Sequence, residues 1–364
     1  MISLPPTSSI TLQSVQIVGV GSALPESILT NEQLSTLVDT SDEWIRPRTG
    51  IGERRILDPE LGLVDLGTAA GQRALEQAGL DPSQLDLIIL ATSTSSDRFG
   101  TAPQIQRQLR APQAVAFDLT AACTGFVFAV ATAAQFLQTG TYQRALVIAA
   151  DVLSRTVDWT DRTTCILFGD GAGAVVLEAA PPEVPTGILG MELRADGGGS
   201  ELLTLSMTTE VSSLGEIMQV GQYRCQPITM NGREVYKFAV TAVPEVIEKA
   251  LFRAGISALQ VRGFFVHQAN QRILDAIVKR LEIDPNSMPS VLERYGNTSG
   301  ASVPITLADS LSQGRFQTGD LGVFAGFGAG LTWGALVFPL GPERLIGVSQ
   351  SGGRSLAFLT SFIL

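Results

Sequence analysis

The fold is decided by the stretch Asp118-Leu119-Thr120-Ala121-Ala122-Cys123-Thr124-Gly125-Phe126. It joins an apolar strand, predicted over residues 115–119, to a helix predicted over residues 122–137. That helix is small or apolar on almost every side, which is typical of a helix buried in the core, and Gly140 ends it. A strand that leads directly into a buried helix indicates an α/β fold.

The same alternation of strands and helices extends in both directions along the chain. Further strands are predicted over residues 15–20, 85–91, 145–150, 174–177, 263–266, 321–325 and 333–338, and further helices over 31–38, 64–78, 235–254, 271–281 and 302–312. Thr30 and Gln33 form a predicted capping box for the first helix, and Pro244 is expected to interrupt the helix over 235–254. This order favours mixed or parallel sheets in two similar halves, joined near residues 181–185.

The composition fits a large core beneath a weakly charged surface. Of the 364 residues, 45% are hydrophobic and 16% are charged, and the formal net charge is −10. Such a low-charge chain favours burial of further surface in an oligomer. The negative charge argues against a general nucleic-acid binder, which needs a basic footprint.

The cysteines and the chain ends indicate a cytoplasmic protein. Cys123, Cys165 and Cys225 are odd in number and far apart, so they form no disulfide framework and indicate a reducing compartment. The first residues show no basic region followed by an apolar run, so we expect no signal peptide. The sequence has no apolar run long enough to span a bilayer. The short apolar end, residues 356–364, is expected to pack on the body or on a partner subunit.

Three glycine-rich segments invite a nucleotide-binding interpretation that their context argues against. They are Gly19-Val20-Gly21, Gly169-Asp170-Gly171-Ala172-Gly173 and Gly326-Phe327-Gly328-Ala329-Gly330. A dinucleotide fingerprint needs a glycine turn that opens a helix. The first segment instead runs toward Pro25, and the other two run into predicted strands. We therefore predict tight turns at which backbone approaches backbone or a ligand.

Cys123 is a candidate nucleophile. It lies near the amino end of the predicted buried helix, where the helix dipole stabilises a thiolate and lowers its pKa. Small neighbours on both sides leave room for a substrate to reach the sulfur. The alternative is an inert core cysteine, because free cysteine is among the most buried residue types. Cys165 is expected in the core and Cys225 in a polar loop, and neither carries a motif.

His267 is the only histidine in the chain. It follows the apolar strand Phe264-Phe265-Val266, and ligands gather at the carboxyl ends of strands in α/β folds. The alternative is a hydrogen-bonded structural histidine. One histidine also excludes zinc sites of the HExxH type, and we predict no metal site.

Asn297 completes a possible constellation. It lies in Tyr295-Gly296-Asn297-Thr298-Ser299-Gly300-Ala301-Ser302, a turn that opens a helix, and by itself it would be a turn or cap residue. A cysteine, a histidine and an asparagine on three separate turns combine a nucleophile with two neutral hydrogen-bond donors. That combination indicates acyl transfer.

Several motifs in one fixed order carry a family resemblance over about residues 15–338. They are Thr40-Ser41-Asp42-Glu43-Trp44-Ile45, Arg48-Thr49-Gly50-Ile51, Ala121-Ala122-Cys123, Phe168-Gly169-Asp170-Gly171-Ala172-Gly173-Ala174, His267-Gln268-Ala269-Asn270, Gly296-Asn297-Thr298-Ser299 and Thr332-Trp333-Gly334. With them the sequence resembles the β-ketoacyl-acyl-carrier-protein synthase III family of condensing enzymes. The resemblance implies a thiolase-like α/β fold: two pseudo-repeated halves, residues 14–184 and 185–340, in a five-layered α-β-α-β-α arrangement, usually a homodimer. Residues 1–13 would be an extension and residues 341–364 a tail.

The resemblance also implies a reaction. Cys123 would accept an acetyl or other short acyl group from coenzyme A, and a malonyl group on acyl carrier protein would then decarboxylate and attack it. His267 and Asn297 would donate hydrogen bonds to the first oxyanion, and the backbone amides of Cys123, Gly328 and Ala329 would stabilise the second. The product is a 3-oxoacyl chain that starts fatty-acid synthesis, and no cofactor is expected beyond the coenzyme A thioester substrate.

Two other functions stay open at this stage. One is a related Cys-His-Asn condensing enzyme of secondary metabolism, such as a polyketide or alkylquinolone starter enzyme. The other is a non-catalytic subunit that kept the fold. The chain-elongating synthases are excluded because they use two histidines.

Binding residues follow from the resemblance alone. The coenzyme A contacts would be Trp44, Arg48, Arg162, Asn231, Gly232 and Asn270, with the adenine held between Trp44 and Arg162. The acyl pocket would include Phe327, Leu331 and Phe99, the last reaching into the partner subunit's pocket. The carrier-protein surface would include Lys237, Gln268, Arg272, Lys279 and Arg280, a positive cluster suited to an acidic partner.

Overall fold

The computed structural model describes residues 12–182, 187–215 and 217–341. The predicted boundary between residues 184 and 185 lies outside this described part, as do most of the predicted extension (1–13) and tail (341–364).

Fifteen strands and nine helices make up the described fold. The strands are β1 (Ser14–Ala23), β2 (Ser27–Thr30), β3 (Glu53–Ile56), β4 (Leu87–Ala91), β5 (Val115–Leu119), β6 (Arg144–Val152), β7 (Asp170–Ala180), β8 (Gly190–Ala195), β9 (Leu203–Thr204), β10 (Met207–Leu214), β11 (Met218–Cys225), β12 (Thr229–Met230), β13 (Val261–Val266), β14 (Leu321–Gly328) and β15 (Thr332–Pro339). The helices are α1 (Asn31–Leu34), α2 (Asp42–Thr49), α3 (Leu63–Ala78), α4 (Ala102–Leu109), α5 (Gly125–Gln138), α6 (Gly232–Ala254), α7 (Gln271–Leu281), α8 (Leu292–Tyr295) and α9 (Ser302–Ser312).

Two sheets repeat one pattern of pairing. The first has the order β1-β7-β6-β4-β5 and the second the order β8-β15-β14-β13. In both sheets the first three strands of this order pair antiparallel, and the third and fourth strands pair parallel. The parallel pair is β6 with β4 in the first sheet and β14 with β13 in the second. The described second sheet has no counterpart of the edge strand β5. The predicted duplication is therefore visible in the sheet topology.

The helices and sheets form five layers. Helices α3 and α4 pack on the outer face of the first sheet, and α6 and α7 pack on the outer face of the second. Helices α5 and α9 lie between the sheets and contact both. This arrangement confirms the predicted α-β-α-β-α fold.

The central helix α5 is buried because its sequence has no polar face. Phe126 is fully buried, and its ring meets that of Phe324 from the second sheet edge-on, with centroids 5.2 Å apart. Full burial of one such side chain stabilises the fold by about 1.5–3 kcal/mol. The helix thereby holds the two halves together next to the turn that carries Cys123.

Several predicted helices differ in detail from the structure. The capping box of Thr30 and Gln33 is present, but α1 is a single turn rather than a helix to residue 38. Pro244 does not interrupt α6. Buried residues before and after the proline pack on the core and stabilise the helix across that position. The helix predicted from residue 122 begins as a tighter 3-10 turn, Ala122–Thr124, before α5 starts.

The glycines of the first segment lie in a strand, so the predicted tight turn there is wrong. A Cβ atom on Gly19 would lie 2.1 Å from the Ala74 carbonyl oxygen, and one on Gly21 would lie 2.3 Å from that of Ala70. Helix α3 therefore rests directly on the backbone of β1, so the predicted close approach of backbone to backbone is confirmed.

In the described part of the chain, no helix combines the length and apolar character needed to cross a bilayer.

Replacing Gly19 with alanine should destabilise the protein, because α3 must move away from β1. We expect the free energy of unfolding to fall by about 1–3 kcal/mol, measured by urea denaturation. Gly197→Ala is the matched control, since a Cβ atom there has nothing within 4 Å, and its effect should stay within about 0.5 kcal/mol. Equal stability of Gly19→Ala and the wild type would contradict the described packing.

Candidate active site

Cys123 lies in the 3-10 turn between β5 and α5. Ala122, just before it, has a φ angle of +46°. A positive φ is uncommon outside glycine and is concentrated at functional sites. The Cys123 side chain is 7% exposed, so the sulfur lies in a nearly closed environment.

The β14–β15 turn covers Cys123 closely. A Cβ atom on Gly328 would lie 2.9 Å from the Cys123 Cβ and 3.1 Å from its backbone nitrogen. The Thr332 hydroxyl donates to the carbonyls of Ala121 and Ala329, both at 3.1 Å. Only glycine leaves room for the two backbones to meet here. The amide of Cys123 and the turn at Gly328 therefore lie side by side, as the oxyanion prediction requires.

The Cys123 thiol is harder to ionise than the sequence suggested. Burial raises its pKa to about 12, the nearby Asp151 carboxylate also raises it, and a hydrogen bond with Ser299 opposes the rise. The prediction that the helix dipole lowers this pKa is therefore wrong as a net effect, because desolvation of a buried thiolate is larger. At neutral pH Cys123 is therefore a neutral thiol.

His267 follows β13 and is 1% exposed. Its Nδ1 lies 2.8 Å from the Ser302 hydroxyl, which accepts the Gln268 amide proton at 3.1 Å. The hydroxyl proton can be donated to Nδ1, and in that tautomer the ring proton is on Nε2. Burial lowers the pKa of His267 to about 3, so the imidazole is neutral at neutral pH.

Asn297 is fixed by backbone and side-chain contacts. Its amide donates to the Leu167 carbonyl at 2.9 Å, and its carbonyl accepts from Gly169 at 3.0 Å. The side-chain Oδ1 accepts the Ser299 amide proton at 2.8 Å. This contact assigns the oxygen and leaves the Nδ2 amide as the donor that Asn297 can offer to a ligand.

One cavity brings these three residues together. It has a volume of about 370 Å³, and Cys123, His267 and Asn297 all lie in its wall. Phe327, also in the wall, packs edge-on against the His267 ring with centroids 5.1 Å apart. A thiol, a neutral imidazole and a carboxamide therefore line the same cavity.

The predicted coenzyme A residues lie toward the outer part of this cavity. Trp44, Arg48, Gly232 and Asn270 line it, and Asn231 lies in an adjoining groove that shares Gly232. The guanidinium carbon of Arg162 lies 5.3 Å from the centre of the Trp44 ring. A ring stacked between two groups needs about 7 Å, or two contacts of about 3.5 Å. An adenine would therefore have to displace Arg162, which is held at 3.0 Å by Asp39.

The three predicted acyl-pocket residues lie in different places. Phe327 is in the cavity wall, whereas Phe99 is fully exposed on the described surface. Leu331 packs on the backbone of Gly199 and is not among the described residues that line the cavity. The structure therefore places Leu331 behind the turn rather than in the cavity.

The predicted carrier-protein residues are basic and exposed, with one exception. Arg272 lies at the cavity mouth, with its guanidinium over the ring of Tyr236 from α6. Lys237 on α6 is also exposed, while Lys279 and Arg280 lie at the far end of α7.

The exception is Gln268, whose assignment to this surface is wrong. Its side chain is fully buried and bonds to the backbone of Val266 and Val291. These hydrogen bonds hold the loop after β13 in place from its buried side.

Sequence analysis missed three polar residues of this site. Ser302 orients His267, and Ser299 contacts both Asn297 and Cys123, at 3.6 Å from the sulfur. Asp151, at the carboxyl end of β6, is buried beside them. Only Asp151 had a usable signal, which is a carboxylate placed directly after an apolar strand. Among the described residues, no group of three His, Cys, Asp or Glu side chains could hold a metal ion.

The duplicated five-layer fold and this cavity define the class as thiolase-fold condensing acyltransferases. Two family models match, 3-oxoacyl-(acyl-carrier-protein) synthase III over residues 117–197 and its C-terminal counterpart over residues 251–340.

Named relatives specify the family. Two β-ketoacyl-(acyl-carrier-protein) synthases III, from Thermosynechococcus vestitus and Gloeobacter violaceus, are 56% and 55% identical, covering 90% of this chain and 99% and 98% of the relatives. The solved 3-oxoacyl-(acyl-carrier-protein) synthase III from Aquifex aeolicus is 42% identical, with a TM-score of 0.81 over 90% of this chain and all of that one. The chain therefore belongs to the synthase III family.

A solved polyketide enzyme is also similar. The priming β-ketosynthase of the R1128 polyketide pathway has a TM-score of 0.82 over 93% of this chain and all of that one, and is 34% identical. The higher identity of the two named synthases III favours that function over the secondary-metabolism alternative.

Replacing Gly328 with alanine should crowd the active-site sulfur, since the new Cβ atom would lie 3.3 Å from Sγ. We expect iodoacetamide to alkylate Cys123 at least about 10-fold more slowly, in line with overpacking of about 1–3 kcal/mol. Mass spectrometry resolves the sites, and the exposed Cys225 is an internal control whose rate should not change. An unchanged rate at Cys123 would place Gly328 away from the sulfur.

Proposed function

We propose that this chain transfers a short acyl group from coenzyme A to Cys123 and then condenses it with a malonyl group on acyl carrier protein. The observation that carries the proposal is the shared cavity, in which the thiol meets two neutral hydrogen-bond donors. The product would be a 3-oxoacyl-carrier protein, the first intermediate of fatty-acid synthesis. The coenzyme A thioester would act as a substrate, and no separate cofactor is proposed.

In the loading step, the Cys123 sulfur attacks the thioester carbonyl and expels coenzyme A. Negative charge develops on the carbonyl oxygen, and backbone amides are suitable groups to receive it. The amide of Cys123 and the turn at Gly328 and Ala329 supply such donors close to the sulfur. The close approach of these backbones supports this role.

In the condensing step, loss of carbon dioxide places negative charge on the malonyl thioester oxygen. His267 Nε2 and Asn297 Nδ2 would each donate a hydrogen bond to it. The lowered pKa of His267 supports this role, because a neutral imidazole remains a donor without requiring a buried charge. Such preorganised donors contribute several kcal/mol in a dry site.

The cavity mouth fits two partners that carry a phosphopantetheine arm. Trp44 and the arginines around it would hold the nucleotide of coenzyme A. Arg272 and Lys237 would attract an acidic carrier protein, with Lys279 and Arg280 extending the positive surface along α7. In a chain with a net charge of −10, this local positive surface supports docking of an acidic partner.

A cytoplasmic homodimer is also part of the proposal. Strand β5 is at the edge of the first sheet, and its first residue, Val115, is 48% exposed. An uncovered edge strand tends to pair with another chain. Phe99 is a fully exposed aromatic side chain in the loop before α4. Pairing through this side of the molecule would bury both and bring Phe99 toward the partner subunit.

Substitution of the catalytic residues should separate the two half-reactions. Cys123→Ala should abolish transfer of radiolabel from acetyl-coenzyme A to the protein. His267→Ala should load at close to the wild-type rate but decarboxylate malonyl-carrier protein about 100-fold or more slowly, because it removes one oxyanion donor. A folded His267→Ala variant that also failed to load would contradict the assigned role. Absence of label on wild-type Cys123 would instead favour a non-catalytic subunit.

Subunit mixing tests whether Phe99 acts in the partner subunit. We expect Phe99→Ala to accept longer acyl-coenzyme A primers than the wild type, because it would enlarge the pocket. In heterodimers of Phe99→Ala with Cys123→Ala, the intact cysteine faces an intact Phe99 from the other chain. These heterodimers should therefore regain the wild-type primer preference in a panel of acyl-coenzyme A primers. Retention of the longer preference would show that Phe99 does not act across the interface.

A further inference from the structure

Asp151 is a buried carboxylate that lies outside the wall of the described cavity. It is the penultimate residue of the apolar strand β6 and is 1% exposed. Its Oδ1 accepts hydrogen bonds from the Ser93 amide at 2.8 Å and from the hydroxyls of Thr94 and Thr92 at 3.0 and 3.1 Å. With Oδ1 so occupied, Oδ2 is the oxygen left for a further partner.

That further partner is Ser299. Its hydroxyl lies close enough to Asp151 to lower the pKa of that carboxyl, and it donates to the Cys123 sulfur at 3.6 Å. Ser299 has a φ angle of +55°, an uncommon backbone conformation for serine. The turn thus places one hydroxyl near both the Cys123 sulfur and a buried carboxylate, and neither Ser299 nor Asp151 is among the described residues that line the cavity.

A hydroxyl in this position can pass a proton, because it donates and accepts at once. Burial raises the pKa of Asp151, so its protonated form is more stable than that of an ordinary carboxyl group. The groups that bond to it, Thr92, Ser93, Thr94 and Ser299, carry no charge. Cys123 is the titratable group that senses its charge.

We propose that Asp151, acting through Ser299, takes the Cys123 proton during acyl loading and returns it when the product leaves. This proposal rests on the proposed loading of Cys123 and adds two positioning residues to it.

The steps balance in atoms and charge. During loading, the Ser299 hydroxyl turns its proton from the sulfur to Asp151 and transfers it there, while its oxygen accepts the Cys123 S–H proton. The sulfur forms a bond to the acyl carbon, and the carbon–sulfur bond to coenzyme A breaks. Coenzyme A leaves as a thiolate and takes a proton from water. After condensation Cys123 leaves as a thiolate, and both protons shift back.

His267 is poorly suited to this task. Its Nδ1 is engaged by Ser302, and burial makes the ring a weak base. In the proposed condensing step its Nε2 also has to carry a proton, as a donor to the malonyl oxygen. A separate proton acceptor behind the sulfur keeps the imidazole neutral for the second half-reaction.

The test compares Ser299→Ala and Asp151→Asn with a matched buried pair. Ser154 donates to Asp170 at 2.6 Å in a similar buried contact, and neither residue contacts Cys123 in the described structure. We expect Ser299→Ala and Asp151→Asn to load acetyl groups about 100-fold or more slowly, the usual range for general-base catalysis. Ser154→Ala and Asp170→Asn should load at rates near wild type, and circular dichroism would establish folding.

The pH dependence distinguishes proton transfer from mere support of the turn. Wild-type loading should rise with pH as Asp151 loses its proton and then level off. In Ser299→Ala and Asp151→Asn the relay is broken. The attacking thiolate must then form by loss of the thiol proton to solvent, from a thiol whose pKa is about 12. Their loading rate should therefore keep rising about tenfold per pH unit through pH 9.

Three outcomes are decisive. Slow loading with a profile that keeps rising supports the relay. A folded Ser299→Ala variant that loads at the wild-type rate, or slow variants that keep the wild-type profile, would overturn it. Failure of the wild type to load at all would instead refute the proposed function, and so the two failures are distinguishable. If Asp151→Asn does not fold, Ser299→Ala alone is enough to test the relay. This variant keeps the Ser299 backbone amide, which donates to Asn297, and so removes only the hydroxyl.

Discussion

The site depends on the contact between the backbones of Cys123 and Gly328. A Cβ atom on Gly328 would lie within 3.1 Å of the Cys123 nitrogen, and one on Gly326 would lie 2.9 Å from Thr124 Cα. These contacts join the start of α5, from the first half, to the end of β14, from the second. Because backbone meets backbone without intervening side chains, the sulfur, its own amide and the covering turn have fixed relative positions. Preorganisation of this kind is what stabilisation of an oxyanion requires.

Burial also shifts the pKa values of three titratable groups around the sulfur. The same dry surroundings raise the pKa of Cys123 and Asp151 and lower that of His267. All three shifts favour the uncharged form, since transfer of a lone charge out of water is unfavourable. A site of this type suits chemistry in which charge appears only briefly on a substrate oxygen. The raised pKa of Cys123 is the reason why the proposed relay provides an acceptor for the thiol proton.

Local sequence patterns predicted the parts of this site that single segments determine. The ends of apolar strands and the start of an all-apolar helix pointed to Cys123 and His267. The five-layer fold, which the family resemblance implied, is confirmed. Gln268 was misassigned because the side chains of neighbouring residues can face different surroundings. The side chain of Gln268 is buried in the core, whereas that of His267 lines the cavity. Ser299 and Asp151 were missed because their contact joins segments far apart in sequence, and neither segment alone indicates it.

The duplication explains why that missed contact exists. In each half a 3-10 turn leads into a central helix, Ala122–Thr124 before α5 and Ser299–Ala301 before α9, and each turn begins with a residue of positive φ. The two turns face each other across the pseudo-symmetric centre, where a Cβ atom on Gly300 would lie 3.4 Å from the Ala122 carbonyl oxygen. Equivalent turns have thus acquired different chemistry. One half supplies the Cys123 thiol and the buried Asp151, while the other supplies the Ser299 hydroxyl close to both and the neutral side chains of His267 and Asn297 in the cavity.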